Sequence, residues 1–225
     1  MSKCRRVKWI WGAIGLSAIV VMILVFSLRE TILVEGGKFM APEASQIEEI
    51  ADVVILEGTE FIGQSMVSKG LEMLSSGRAR RMVIVLHRIS PKHRPFAMQE
   101  DYPSSVKTEL QNLGLKDSAF TVMVTPLRDP ITLTSARAVL ETLARDGVKK
   151  AILVSPGFHM RRSYLVYQHL SVPLNIKIYP IVCFYKKYQH NNWWNEGHGT
   201  RDFVSELQKL MYYMAMGYIP LKFSY

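Results

Sequence analysis

The chain has 225 residues, a formal net charge of +9 and only two cysteines. It is long enough to bury a core of its own, which excludes a small domain held together by disulfides. No basic stripe is interleaved with aromatics, so the charge excess does not point to a nucleic-acid partner.

The stretch from Trp9 to Leu28 contains no charged side chain. At about 1.5 Å per residue it makes a helix about 30 Å long, which matches the hydrocarbon core of a bilayer. Trp9 and Trp11 sit at one end, where indoles favour the headgroup layer. No A-x-A-like cleavage site follows Phe26, so the expectation is an uncleaved anchor, with the lipid bilayer as partner through residues 9–28. Lys3, Arg5, Arg6 and Lys8 precede the span, whereas Arg29 is followed at once by Glu30. That asymmetry predicts a single pass with the N-terminus cytoplasmic and the domain on the outer face. Cys4 and Cys183 would then lie on opposite sides and could not pair. The expected organisation is a basic tail and anchor over 1–30, a linker over 31–50 and an α/β domain over 51–225. Gly36, Gly37 and Pro42 are read as the breakers of the linker.

Short, β-branched apolar runs follow at 52–58, 82–87, 119–124, 151–156 and 175–182. Most are apolar on both faces, as buried parallel strands are. Between them lie helical patterns, over 131–146 with Ala136, Val139, Leu140 and Leu143 on one face, and over 201–216 with Phe203, Leu207, Leu210 and Met214. Asp129-Pro130 is read as a capping residue followed by proline at the first helical position. Gly77, Gly114 and Gly147 follow helical patterns as C-terminal caps. Alternating strands and helices predict a Rossmann-like three-layer α/β sandwich with a mostly parallel sheet. Ligands bind such folds beyond the C-terminal ends of the strands, which selects segments 57–60, 87–102, 125–130, 155–162 and 183–200.

Within those segments, His159 and Arg162 are three residues apart at a helix start and share a face. They read either as an anion-binding or acid–base pair, or as a histidine packed under a loop beside a surface arginine. His87, Arg88, Lys92, His93 and Arg94 read either as a grip for an anionic lipid or carbohydrate or as a solvated loop. Trp193 and Trp194, with Tyr185 and Tyr188 nearby, suit a sugar, a membrane surface or simple packing. No H-x-x-x-H or H-x-x-E-H pair exists, so no metal site is expected. Ser155 stands at a strand end, but no G-x-S-x-G elbow surrounds it. No motif names a cofactor.

The edge segments together resemble the YdcF/SanA/ElyC family of bacterial α/β domains, over about residues 50–217. The strongest match is AILVSPGFHMRRS, where Ser155, Phe158, His159, Met160 and Arg162 fall on the family's T-S-x-Y-H-M-x-R. Thr132 in DPITLTSA matches the family threonine, and Glu206 matches the glutamate of its last helix. Only Gly58 remains of the family's first glycine cluster, with Glu57 beside it, and the second S-G-G has become His87-Arg88-Ile89. Thr134 and Ser135 replace the Glu and Asn of E-N-A. The resemblance implies His159, Arg162 and Glu206 as catalytic residues, and Gly58, Thr132, Ser155 and Arg88 as ligand-binding residues. It implies a role in the bacterial cell envelope, at the inner membrane, on a lipid-linked or phosphorylated carbohydrate. The altered first loop keeps two other readings open, a non-catalytic ligand- or partner-binding module and a nucleotide-type cofactor binder. Glu57 and Glu60 would repel a phosphate in a turn where the family presents backbone N–H groups.

Overall fold

All five apolar runs are strands, and their hydrogen bonding makes one parallel sheet. The computed structural model describes residues 2–44, 47, 49–58, 61–87, 101–184 and 187–220, without the side chains of 2–10, 12, 13, 15, 18 and 25. The strands are β1 (Ala51–Glu57), β2 (Ala79–His87), β3 (Phe120–Thr125), β4 (Lys150–Pro156) and β5 (Lys177–Cys183). Their order across the sheet is β3-β2-β1-β4-β5, all parallel. The helices are α1 (Ser2–Met40), α2 (Gln64–Ser75), α3 (Tyr102–Asn112), α4 (Ile131–Arg145), α5 (His159–Ser171) and α6 (Gly197–Ala215).

Alternation along the strands divides the core into two layers. Val53, Ile55, Val83, Val85, Ala151 and Leu153 face α4, α5, α6 and the end of α1. Val54, Leu56, Met82, Ile84, Ile152 and Val154 face α2 and α3. The three central strands are buried on both faces, which is why their sequences show no polar alternation. In α2, a Cβ on Gly70 would lie 2.6 Å from Met82 Sδ, so glycine lets the helix rest directly on the sheet. Gly77, Gly114 and Gly147 all have positive φ, as expected of helix C-terminal caps.

Two local expectations are corrected. Pro130, not Asp129, is the residue before α4, and no side-chain cap bond is made there. The first part of the expected linker over 31–50 is helical, because α1 continues through Gly36 and Gly37 to Met40, so those two glycines are not breakers. Gly37 is glycine for closeness: a Cβ there would lie 2.0 Å from the His190 carbonyl oxygen. Trp193 Nε1 donates to the Leu33 carbonyl at 3.0 Å, and the Arg161 guanidinium lies 3.9 Å from the Phe39 ring centroid. These contacts keep the segment helical despite its two glycines.

Residues 9–28, the expected span, lie within α1. Among the described residues no helix is long and apolar enough to cross a membrane, and the side chains at 9, 10, 12, 13, 15, 18 and 25 of that stretch lie outside the described set.

Candidate functional site

In this strand order the chain reverses direction across the sheet between β1 and β4. The crevice beyond the C-terminal ends of those two strands is where ligands bind in open parallel sheets. A cavity of about 850 Å³ opens there. Its floor holds Glu57 and Gly58 from the end of β1, Pro156 from β4, and His159 and Arg162 from the first turn of α5. One wall is the first turn of α4, with Thr132, and Asp129 just before that helix, and the other is the inner face of α6, with Glu206, Lys209 and Tyr213. Gly58, Thr132, His159, Arg162 and Glu206, singled out from sequence, therefore line one cavity.

His159 is the centre of the cluster. Its Nδ1 lies 3.2 Å from Glu206 Oε2, and its Nε2 lies 3.5 Å from Glu57 Oε2. Burial by itself would lower the His159 pKa, but the Glu57 charge and the bond to Glu206 outweigh burial and the opposing Arg162, raising it to about 8. Both carboxylates move the other way. Burial pushes Glu57 up, yet the imidazolium charge and the bonds from His159 and Ser163 hold it below the ordinary range. Burial also pushes Glu206 up, and His159, Arg162 and Lys209 together hold it well below that range.

Arg162 is committed within the protein. Its Nε and Nη2 donate to Glu206 Oε2 at 3.0 and 2.8 Å, and its Nη1 donates to Thr132 Oγ1 at 2.6 Å. Its Nη2 also lies 2.9 Å from His159 Nδ1. The guanidinium therefore ties α5 to α4 and α6 and fixes the Glu206 carboxylate that His159 Nδ1 meets. A fork spent on these partners is not a free bidentate clamp for a ligand anion.

The other expected residues separate. Ser155 is fully buried behind Glu57 and does not line the cavity. Its Oγ finds no partner of hydrogen-bonding geometry, though it is near enough to help lower the Glu57 pKa. Gly58 lines the cavity, and packing also requires a glycine there. Its N–H continues the β1–β2 ladder to the Val85 carbonyl, and a Cβ would lie 2.7 Å from that oxygen. Arg88, Lys92, His93 and Arg94 lie outside the described residues, as do Glu60 and Tyr185. His87 is described, with its Nδ1 2.9 Å from Thr125 Oγ1. Trp193 is buried, stacked on Phe203 at 3.9 Å between centroids, so it packs the loop and leaves no face for a sugar.

Sequence reasoning misread Glu57 and passed over Ser163 and Lys209. Glu57, read as a loop charge that repels anions, is instead buried and matched by His159, with a hydrogen bond from Ser163. Ser163 stands four residues after His159 on the same face of α5, a spacing that could have flagged it. Lys209 stands three residues after Glu206 and bonds its Oε1 at 2.8 Å. Among the described residues no group of three or more His, Cys, Asp or Glu is placed to hold a metal ion.

The arrangement can hold and move a proton. Nδ1 of His159 is engaged by Glu206, while the 3.5 Å gap from Nε2 to Glu57 is at the limit of hydrogen bonding. Nε2–H is thus the more weakly held of the two ring N–H groups. The first turns of α4 and α5 carry no side-chain caps and border the same cavity, so their N–H groups favour an anion. Comparison with protein families and with curated proteins gives no match for this chain.

Proposed function

We propose that this is a membrane-anchored α/β protein of the bacterial cell envelope whose cavity binds a phosphorylated ligand and exchanges a proton with it through His159. The observation that carries the reading is an imidazole with a pKa of about 8, held between two ionised carboxylates at the switch point of the sheet. A histidine poised near neutrality with one exchangeable N–H suits general acid–base work. Glu57 and Glu206 stabilise the imidazolium, Arg162 and Ser163 position the cluster, and Lys209 adds positive charge at the wall. The envelope placement is supported by the resemblance to the YdcF/SanA/ElyC family. It is supported too by the uncharged segment 9–28, where consecutive residues Ile19–Leu24 expose apolar side chains around the whole helix. The basic residues before that segment support an inner-membrane protein with its domain outside.

A second reading is a non-catalytic binding module. It is favoured by the commitment of the Arg162 fork to Glu206 and Thr132. A nucleotide-type cofactor is less well supported, because the turn after β1 lacks a glycine cluster and Gly58 is packed against Val85.

The test is calorimetric titration of the purified full chain in detergent with glucose 1-phosphate. Binding by wild type that is lost in His159→Gln, at unchanged melting temperature, is expected. Failure of the wild type to bind, or equal binding by His159→Gln, sinks the proposal. A bound phosphosugar that is never turned over, even with candidate acceptors present, favours the binding module.

A further inference from the structure

We infer that the cavity faces the membrane from which α1 emerges, and that its anionic ligand is the headgroup of a lipid resident in that membrane; this rests on the anchor and anion-site readings above. The direction of α1 carries it. Leu33 meets Trp193, and Gly37 meets His190, both in the connection beyond the C-terminal end of β5. Phe39 meets Arg161 in the first turn of α5. Farther along, the Ala44 N–H donates to the carbonyl of Pro180, midway down β5. The chain thus enters past the C-terminal edge of the sheet and runs down beside β5. Everything before Leu33 projects away from that edge, and the cavity lies on the same edge.

No flexible linker intervenes, because α1 is unbroken to Met40. Five residues separate Leu28 from Leu33, about 7.5 Å of helix. The headgroup layer on each side of a bilayer is about 5–8 Å thick. The edge that carries the cavity therefore sits at headgroup depth in a fixed orientation. Its rim is apolar as well. Leu127 and Tyr212 line the cavity and are 45% and 52% exposed, and Met216, the residue that caps α6 four positions beyond Tyr212, is 52% exposed. Apolar lips over a charged floor fit an amphiphile whose chain stays in the bilayer while its phosphate reaches His159.

The experiment uses the full chain carrying Cys4→Ser, reconstituted in phosphatidylcholine nanodiscs. A fluorophore is attached at Leu127→Cys or, at the opposite edge of the sheet, at Lys116→Cys. A lipid spin-labelled at its headgroup should quench the Leu127 position several-fold more than the Lys116 position. Equal or reversed quenching overturns the orientation. In a second arm the His159 imidazole resonance is followed with phosphatidate in the disc or with inorganic phosphate in solution. A shift with phosphatidate, at phosphate concentrations where the inorganic ion has no effect, is expected. A shift with inorganic phosphate alone leaves the anion site standing and removes the lipid. No shift with either removes the anion site and this inference with it.

Discussion

Two carboxylates on β1, Asp52 near its start and Glu57 at its end, meet opposite surroundings at the two edges of the sheet. Asp52 Oδ2 accepts the backbone N–H groups of Lys149 and Lys150 at 2.9 and 3.0 Å, and its Oδ1 pairs with Arg80 at 2.9 Å. The Lys149 N–H, more than any other group, holds the Asp52 carboxyl below the ordinary range. Glu57 accepts a hydroxyl bond from Ser163, but the charge that balances it is not fixed. Its neutralising partner is an imidazole that can release its proton, and a cavity adjoins the pair. Backbone N–H groups do not titrate, so the first arrangement can only hold β1 to β4. The second can change charge at neutral pH, which is what a site needs.

Four outcomes would break or sharpen this contrast. Arg162→Leu should have the largest effect, because it leaves the Glu206 charge buried beside an emptied position. Removing one partner of a buried pair costs about 3–5 kcal/mol, so melting of the full chain should drop by about 10 °C. A melting temperature close to wild type would mean the cluster is solvated and not a clasp.

Glu57→Gln should lower the His159 pKa from about 8 to below its ordinary 6.5, since burial and Arg162 then act with less opposition. Asp52→Asn should leave it unchanged. An imidazole titration by NMR decides this, and equal effects from the two substitutions would erase the distinction between the edges.

Stability should depend on pH with a definite sign. The folded His159 pKa lies above its ordinary value, so its contribution is complete below pH 6.5 and is lost as pH rises through about 8. The difference is worth about 2 kcal/mol. Glu57 and Glu206 are depressed, so their contributions are present above their ordinary value of 4.5 and are lost as pH falls through their folded values. Thermal melting should therefore plateau between about pH 5 and 6.5 and decline toward about pH 8.5. In His159→Gln the alkaline decline should disappear, and its persistence would assign it to another group.

Asp52→Asn should cost least, about 1–2 kcal/mol, because an amide oxygen in the place of Oδ2 can still accept both backbone N–H groups and only the pairing of Oδ1 with Arg80 is lost. A loss as large as that of Arg162→Leu would make the N-terminal edge the more demanding of the two.

The sequence by itself determined what depends on neighbouring residues. The three central strands, buried on both faces, had to be nearly apolar throughout, so their runs were visible in order. Gly77, Gly114 and Gly147 marked helix ends because positive φ is a local demand. His159 and Arg162 shared a face because three residues on a helix nearly complete a turn. Tertiary structure alone decided the partners. Glu206 joins His159 across 47 positions and Ser163 joins Glu57 across 106, distances over which spacing carries no information. The same limit explains Gly37: read locally it breaks a helix, but it is small because the His190 carbonyl lies against it in the fold. Glu57 looked repulsive to an anion because a charge has one sign in sequence, and only the fold supplied the imidazole that balances it.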